Sequence, residues 1–255
     1  MKRIKNRYPT NIVRNPYDEN PKRSTIVTPL WLCEYIFKIV HPILKKNLIK
    51  EIIDIGCHKG NLSLPFKNNN YRCIGVDNHK VNYHSKFIKL NFLEAEDYGI
   101  SKHIKKIIIC NPPFNDEKRE YGKQLIPELF LRNILRMFGN KIPLIFFSPM
   151  GLLKNQSLSS NRWKWIRDCG AKITSELELP IDTYIPLGNR EKYERDLKFI
   201  RNDFKLGKKN GLKKWKAELY EVDQMLKRKY KIILVHSSVL FFNIKGLPAK
   251  IFLDV

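Results

Sequence analysis

The feature that most constrains the fold is a short apolar run, residues 107–110, which two consecutive prolines soon follow. Three isoleucines and Cys110 make up the run, and this composition is typical of a strand buried on both faces of a parallel sheet. Pro112 and Pro113 lack backbone N–H groups and fix φ near about −65°, so the chain leaves the sheet stiff and extended. The pattern predicts a central strand with a rigid segment at its carboxyl end.

The residues after this run, Asn111, Pro112, Pro113 and Phe114, have the groups that can hold a planar ring with an exocyclic amino group. The Asn111 amide oxygen and the Pro112 carbonyl can accept the amino protons, while Phe114 offers a flat face for stacking. A proline turn after a core strand would contain the same residues. The segment alone therefore leaves an amine-binding site and a simple turn both open.

Similar apolar runs alternate with segments of helical periodicity, which predicts an α/β fold with a mostly parallel sheet. We expect seven strands, over residues 51–56, 71–76, 86–90, 107–110, 142–148, 172–179 and 232–242. Residues 249–253 are a candidate antiparallel partner for the last of them. We expect helices over residues 28–41, 61–66, 123–138 and 158–169, the first with Thr28 as N-cap and Pro29 as its first residue.

Glycines and an acidic residue surround the turn after the first predicted strand. Asp54 lies near the end of that strand, and a tight turn through Cys57 follows between Gly56 and Gly60. Glycines let backbone approach a ligand closely, and the next helix N-terminus favours a negative group such as a carboxylate. His58 breaks the G-x-G-x-x-G spacing of dinucleotide-binding loops. An ordinary strand-to-helix turn remains the alternative.

Polar residues also end the second and third predicted strands. Asp77 is placed to accept both hydroxyls of a ribose. Asn91 can bond the edge of an adenine, and Phe92 can stack beside it. Such residues are also common as turns and core side chains, so their position in the series of strand ends is what makes them candidates.

The charge of the chain indicates a polyanionic partner. Its 48 Lys and Arg against 25 Asp and Glu give a net charge of +23. Segment 189–231 alone has 15 Lys and Arg against 7 Asp and Glu, with aromatic residues between them and a predicted helix break at residues 208–211. This composition suits a nucleic-acid-binding helical pair or a solvated pair whose aromatics pack on the core. An AT-rich genome would also enrich lysine.

The five cysteines lie far apart, with no C-x-x-C pair and no Cys/His group at zinc-ligand spacing. We therefore expect a reduced, metal-free, cytoplasmic protein. The N-terminus lacks an apolar signal segment, and no apolar run approaches the roughly 18 residues of a membrane span, so we expect no membrane partner. The oligomeric state does not follow from the sequence.

With these strand ends in place, the chain resembles the class I S-adenosylmethionine-dependent methyltransferases. It is most similar to the amino-methyltransferases with an Asn-Pro-Pro-Phe motif, above all the N6-adenine enzymes, over about residues 28–150. The resemblance implies a Rossmann-like catalytic domain with a seven-stranded sheet and helices on both faces, over residues 28–188 and 232–255. A basic N-terminal arm, residues 1–27, and a basic helical insertion, residues 189–231, would complete the chain.

The resemblance also implies roles for the strand-end residues. Those expected to contact S-adenosylmethionine are Thr28 and Pro29 at its methionine end, Asp54, Gly56, Cys57 and Gly60 in the loop, Asp77 at its ribose, and Asn91 and Phe92 at its adenine. The expected catalytic motif is Asn111, Pro112, Pro113 and Phe114.

The implied activity is methylation of adenine N6 in DNA, by direct attack of the flipped base's amino group on the sulfonium methyl. An RNA base amine, adenine N6 or guanine N2, is the first alternative, since segment 189–231 is small for a DNA recognition domain. An inactive nucleic-acid-binding module is the second. His58 stands where the family has a glycine and Asn91 where it has Asp.

Overall fold

A computed structural model describes residues 27–79, 81–95, 105–114, 125–154, 157, 159–180, 183–184, 191–198, 220–226 and 236–253. The chain divides into two compact units. The larger comprises residues 24–180 and 236–255, and the smaller comprises residues 1–23 and 181–235. None of the helices in the described ranges has the length and apolarity needed to cross a lipid bilayer.

The larger unit contains one eight-stranded sheet with the strand order β3-β2-β1-β4-β5-β7-β6-β8. The strands are β1 (Glu51–Ile55), β2 (Arg72–Asp77), β3 (Lys86–Lys89), β4 (Lys106–Cys110), β5 (Leu144–Pro149), β6 (Ile173–Leu179), β7 (Ser237–Phe242) and β8 (Lys250–Ile251). The helices are α1 (Leu30–Lys46), α2 (Leu64–Asn68), α3 (Ile126–Phe138), α4 (Met150–Lys154) and α5 (Asn161–Asp168).

The predicted α/β class and mostly parallel sheet are confirmed. Strand β7 is antiparallel to both of its neighbours, and the other pairings are parallel. The sheet has eight strands rather than the predicted seven, because residues 250–251 form a short edge strand. The expectation that residues 249–253 pair with the last long strand was wrong, since β8 pairs in parallel with β6.

Strands β1 and β4 form the centre of the sheet, and all five residues of each are buried. One core cluster joins this centre to α3 and α5 through side chains that include Ile108, Ile134 and Phe146. Helices α1 and α2 contribute further buried side chains, among them Ile36 and Phe66. Burial on both faces is the condition that the β-branched run at residues 107–110 predicted.

Helix α1 differs from the prediction at both ends. Its N-cap is Pro29 and it has no side-chain cap, so the expected capping role of Thr28 was wrong. The helix also continues through Pro42, which lacks the N–H of a helical hydrogen bond. Burial of Leu44, only 1% exposed, accompanies this extension, and we infer that the apolar contact offsets the cost of the proline.

Two further helical stretches, residues 191–198 and 220–226, belong to the smaller unit. The hydroxyl of Tyr193 donates to Asp223 Oδ1 at 2.5 Å and links them. Leu197 and Leu226 are buried, whereas Tyr220 is half exposed. The predicted break at residues 208–211 and most of residues 1–27 lie outside the described residues.

The extension of α1 past Pro42 can be tested with two leucines four residues apart. We expect Leu44→Ala to lower the free energy of unfolding by about 2 to 5 kcal/mol, because it leaves a cavity in the core. Leu48→Ala, at a side chain that is 63% exposed, should change it by less than about 0.5 kcal/mol. Urea unfolding of both variants measures the difference. Equal losses would contradict this placement of the helix.

Candidate functional site

A cleft opens at the carboxyl ends of the central strands β1 and β4. Several predicted site residues from distant segments meet there, namely Thr28, Asp54, Gly56, Cys57 and Asn111. The remaining lining residues are Val27, His58, Lys59, Asn61 and Leu62. Parallel pairing of β1 with β4, with Ile55 opposite Cys110, places the two strand ends side by side. The cleft thus joins the predicted cofactor loop to Asn111, the first residue of the predicted catalytic motif, whereas Pro112, Pro113 and Phe114 are not among its lining residues.

The amide group of Asn111 is fixed in one orientation. Its Nδ2 donates to the hydroxyl oxygen of Thr28 at 2.9 Å, and Thr28 is itself 5% exposed. The opposite atom, Oδ1, is buried and accepts no hydrogen bond from any residue that the structure describes. A buried acceptor without a partner costs about 1 to 3 kcal/mol. Such an acceptor beside a cleft is suited to a ligand that donates a hydrogen bond.

Thr28 connects the catalytic motif to the loop after β1. Its carbonyl oxygen accepts a hydrogen bond from Asn61 Nδ2 at 3.1 Å and a weak one from the Cys33 thiol at 3.8 Å. Sequence reasoning selected Thr28 but missed Asn61 as its partner. The bond from Asn111 to Thr28 spans 83 residues, and no local pattern indicates it.

Asp54 lies beneath the cleft in a buried polar network. Its carboxyl is 1% exposed and accepts a hydrogen bond from the Ser63 hydroxyl at 2.6 Å. The Ser63 oxygen in turn lies 2.7 Å from the Tyr83 hydroxyl and 3.1 Å from His84 Nε2. Since His84 Nε2 also lies 3.1 Å from the Gly60 carbonyl, which can only accept, this nitrogen carries the proton.

Burial raises the pKa of Asp54 to about 7, with a smaller rise from the charge of Asp77, while the Ser63 hydrogen bond opposes the shift. A cationic group in the cleft would favour the ionised form of this carboxyl. The Cys57 thiol is buried as well, and burial raises its pKa, so it is a neutral lining group rather than a nucleophile.

Asp77 holds the loop after β1 from the side. Its carboxylate accepts backbone N–H hydrogen bonds from His58 and His79, each at 3.0 Å. Each carboxylate oxygen retains capacity for a second hydrogen bond, as the predicted contact with a ribose requires. That contact stays a prediction.

The two glycines of the loop after β1 have different surroundings. Gly56 has a φ of +70°, and a Cβ there would lie 3.7 Å from the Asn111 carbonyl oxygen. Gly60 has a φ of +79°, and a Cβ there would lie 2.8 Å from the rings of Tyr83 and His84. His58 has a φ of +44°, a left-handed conformation that favours glycine. The family's glycine at this position therefore has a conformational reason.

The structure does not bring Asn91 and Phe92 to the cleft. Phe92 is 4% exposed and stacks on Phe130, with a centroid distance of 5.3 Å, and its carbonyl accepts a hydrogen bond from Asn133. Asn91 Oδ1 accepts from the Leu93 N–H at 3.3 Å. Their predicted contacts with an adenine remain predictions.

The other predicted site residues adjoin Thr28 or Asn111 in the chain. Pro29 adjoins Thr28 at the start of α1 and is partly exposed. After Asn111, Pro112 is buried, Pro113 is partly exposed, and Phe114 is 6% exposed. Among the described residues, no group of three metal-ligating side chains gathers.

The sheet order and the cleft at the carboxyl edge match a known architecture. A protein from Listeria monocytogenes, whose structure is described as that of a class I S-adenosylmethionine-dependent methyltransferase, aligns with 90% of this chain at 12% identity and a TM-score of 0.52. The fold is that of the class I methyltransferases. This chain spans 66% of the Listeria protein's length. At such identity, the likeness shows the methyltransferase fold alone.

Other solved structures with this methyltransferase fold are less similar. An S-adenosylmethionine-dependent methyltransferase from Archaeoglobus fulgidus has 13% identity and a TM-score of 0.41, over 84% of this chain and 94% of its own. Coclaurine N-methyltransferase, bound to N-methylheliamine and S-adenosylhomocysteine, has 13% identity and a TM-score of 0.40, over 92% of this chain and 81% of its own. No family model matches this chain, and no curated protein matches it.

The protonation of Asp54 gives a testable pH dependence. Between about pH 4 and 7 the folded state retains a proton that the unfolded state has released, so this group lowers stability as pH rises. We expect Asp54→Asn to remove this loss. From about pH 4 to 7, the free energy of unfolding of the variant minus that of wild type should increase by on the order of 4 kcal/mol. Urea unfolding at several pH values measures this difference.

Asp168→Asn is the matched control, because that carboxylate is exposed at the end of α5. Its stability relative to wild type should stay nearly constant over the same pH range. If Asp54→Asn and wild type followed parallel pH courses, the buried network would not hold the proton.

Proposed function

We propose that the protein is an S-adenosylmethionine-dependent methyltransferase that methylates the N6 amino group of adenine in DNA. The observation that carries the proposal is Asn111, whose amide nitrogen is bonded to Thr28 and whose buried oxygen lacks a partner among the described residues. That oxygen is a prepared acceptor for an amino hydrogen. The residues Pro-Pro-Phe after it supply a second acceptor and an aromatic face.

The cleft residues fit the cofactor by their chemistry. Asp54 offers a buried carboxyl to a cationic ligand, and the turn at Gly56 keeps side chains away from the Asn111 carbonyl. We assign cofactor binding to Thr28, Pro29, Asp54, Gly56, Cys57, Gly60 and Asp77, while the adenine contacts of Asn91 and Phe92 stay predictions. When bound, S-adenosylmethionine supplies an electrophilic methyl group on a sulfonium.

The catalytic motif acts by positioning the amine. An exocyclic amine is a poor nucleophile because its lone pair is delocalised into the ring. Asn111 Oδ1 and the Pro112 carbonyl accept its two hydrogens and favour a pyramidal nitrogen, whose lone pair then points at the methyl group. Transfer would break the bond between the methyl and the sulfonium, which would leave as a neutral thioether. The nitrogen would be left cationic and would then release a proton, so no general base would be needed before attack. Phe114 is 6% exposed, so its ring must first be uncovered; it would then stack on the flipped base and offset part of the unstacking cost of a few kcal/mol.

Among molecules that contain such an amine, a nucleic acid best suits the net charge of this protein. The net charge of +23 favours a polyanion over a small neutral substrate or a protein side chain. In the smaller unit, the helix at residues 191–198 exposes Lys192, Arg195 and Lys198, together with Glu191 and Glu194. We favour DNA over RNA because the motif order resembles that of the N6-adenine DNA enzymes.

Nucleoside mass analysis tests the substrate. DNA and RNA are each incubated with the protein and isotope-labelled S-adenosylmethionine, then digested to nucleosides. We expect labelled N6-methyladenine from DNA. Labelled adenine or guanine from RNA alone would move the assignment to an RNA base amine, and no label in either polymer, with intact cofactor binding, would overturn the proposal.

Replacing the proposed catalytic amide should stop the reaction without unfolding the protein. We expect Asn111→Ala to lower kcat by at least about 10²- to 10³-fold, because one acceptor for the amino group is lost. Asn69→Ala is the matched control, since Asn69 is an exposed amide at the end of α2 that bonds Pro65. Its methyl transfer should equal that of wild type. Full activity of Asn111→Ala would refute the assigned site.

The role of Thr28 can be separated from simple packing. Thr28→Val keeps the shape but removes the acceptor for Asn111 Nδ2, whereas Thr28→Ser keeps the hydroxyl. We expect about a 10-fold lower kcat for Thr28→Val and nearly full kcat for Thr28→Ser, because one hydrogen bond of about 1 to 1.5 kcal/mol orients the amide. A rise only in KM for the cofactor would instead indicate that Thr28 acts through cofactor binding.

A further inference from the structure

The edge of the sheet opposite the cleft is lined by cations. It contains the amino ends of the parallel strands and the carboxyl end of α1, all in the larger unit. We call the following exposed residues the amino-edge row: Lys45, Lys46, Lys50, Arg72, Lys105, Lys141, Lys172 and Lys245. Nothing in the proposed methyl transfer uses them.

Backbone hydrogen bonds place one half of the row side by side. The N–H of Arg72 donates to the carbonyl of Lys50 at 2.9 Å, and the N–H of Lys50 donates to that of Lys105 at 3.4 Å. These residues precede or begin β2, β1 and β4, which are neighbours in the sheet. The backbones of these residues therefore follow one another across the edge at the spacing of adjacent strands, about 4.8 Å, with Lys50 level with Lys105 and Arg72 level with Glu51.

Asn243, just after β7, forms hydrogen bonds with the segments that contain the other half of the row. Its amide donates to the carbonyls of Asn140 and Ile142, on either side of Lys141, at 2.7 and 3.0 Å. Its backbone N–H donates to the carbonyl of Lys172 at 3.0 Å. Lys245 lies two residues further along the chain.

The loop that follows β7 also approaches the end of α1. A Cβ at Gly246 would lie 3.8 Å from Ile43, in the helix whose last turn contains Lys45 and Lys46. The end of α1, with its two lysines, and the loop that contains Lys245 therefore lie next to each other at this edge. The row extends from β2 across β1, β4, β5 and β7 to β6, over about five strand spacings or about 24 Å.

Among the residues that the structure describes, acidic side chains neutralise little of the row apart from Arg72. Glu51 is 2% exposed and lies 3.3 Å from Arg72 and 3.9 Å from Lys106, so it is already paired. Asp168 is exposed at the end of α5, next to Arg167. The helix dipole favours lysines at the end of α1, but strands have only small net dipoles. Helix stabilisation therefore does not account for the cations that precede strands.

We propose that the amino-edge row binds the phosphate backbone of a nucleic acid. A row of cations about 24 Å long suits a duplex, which has one negative charge per about 1.7 Å of axis. Insertion into a membrane surface would need an apolar face, and within the described ranges Leu48 is the one large apolar side chain found exposed beside the row. The nucleic acid is therefore the better match.

The row cannot hold the target base. Strands β1 and β4 have five residues each, so the two edges are about 17 Å apart. The nucleic acid on the row is a flanking or second segment, and it supplies affinity that is independent of sequence. The inference shares its partner class with the proposed function but needs no methyl transfer.

The test is the salt dependence of duplex binding by the full chain. The variant Lys50→Gln, Lys105→Gln, Lys172→Gln removes three row cations for which no ion pair is found among the described residues. We expect the slope of log K against log salt to fall by about 2 to 3, since each contacted phosphate contributes about 0.9. Binding to a labelled 30-base-pair duplex is measured without cofactor.

A control with the same change in charge is Lys38→Gln, Lys164→Gln, Lys250→Gln, at exposed positions on α1, α5 and β8. It should reduce the slope by less than about 1. Equal slopes for the two triple variants would overturn the proposal, because the charge would then act diffusely. Selective loss of binding to phosphatidylserine vesicles, with unchanged duplex binding, would also overturn it and assign the row to a membrane surface.

The outcome is separable from that of the proposed function. A protein that methylates no nucleic acid can still show the slope difference, because the measurement uses neither cofactor nor Asn111. Conversely, methyl transfer to a short oligonucleotide confined to the cleft should be unchanged in the row variant.

Discussion

The site depends on the parallel pairing of β1 with β4. This pairing aligns Glu51 with Lys106 and Ile55 with Cys110, so both strands end at the same level. The loop at Gly56 and the motif at Asn111 then face each other without any further adjustment of the backbone. Because both strands are buried on both faces, a shift of register would move a polar strand end into the core. The core and the cleft are therefore specified by the same contacts.

The sequence predicted those features that depend on local composition. The β-branched runs identified β1 and β4. Asp54 and Gly56 near the end of β1 and Asn111 after β4 identified the cleft, because the carboxyl ends of parallel strands meet at one edge. Helix boundaries were less accurate. The start of α1 was placed one or two residues early, because Thr28 has the residue type of a cap but bonds Asn111 instead.

Long-range contacts account for what the sequence could not predict. The partners of Asp54 reach it through Ser63 and then Tyr83 and His84, and none of these has a spacing that indicates a network. Phe92 illustrates the same limit. A phenylalanine at a strand end can face a ligand or the core, and only the packing of Phe130 on its ring shows that it faces the core here.

The distribution of charge is compatible with the two proposed ligands of opposite sign, a cationic cofactor and a nucleic acid. A protein with a net charge of +23 repels a cationic cofactor at long range, so a site for such a cofactor must concentrate negative charge locally. Asp54 and Asp77 end or nearly end adjacent strands and provide it, and the burial of Asp54 makes its carboxyl sensitive to any nearby cation. The cations before the strands lie about 17 Å away at the opposite edge, beyond the roughly 8 Å over which physiological salt screens surface charges. Separation across the sheet thus keeps the acidic side chains at the cleft edge apart from the cationic row at the opposite edge of the same domain.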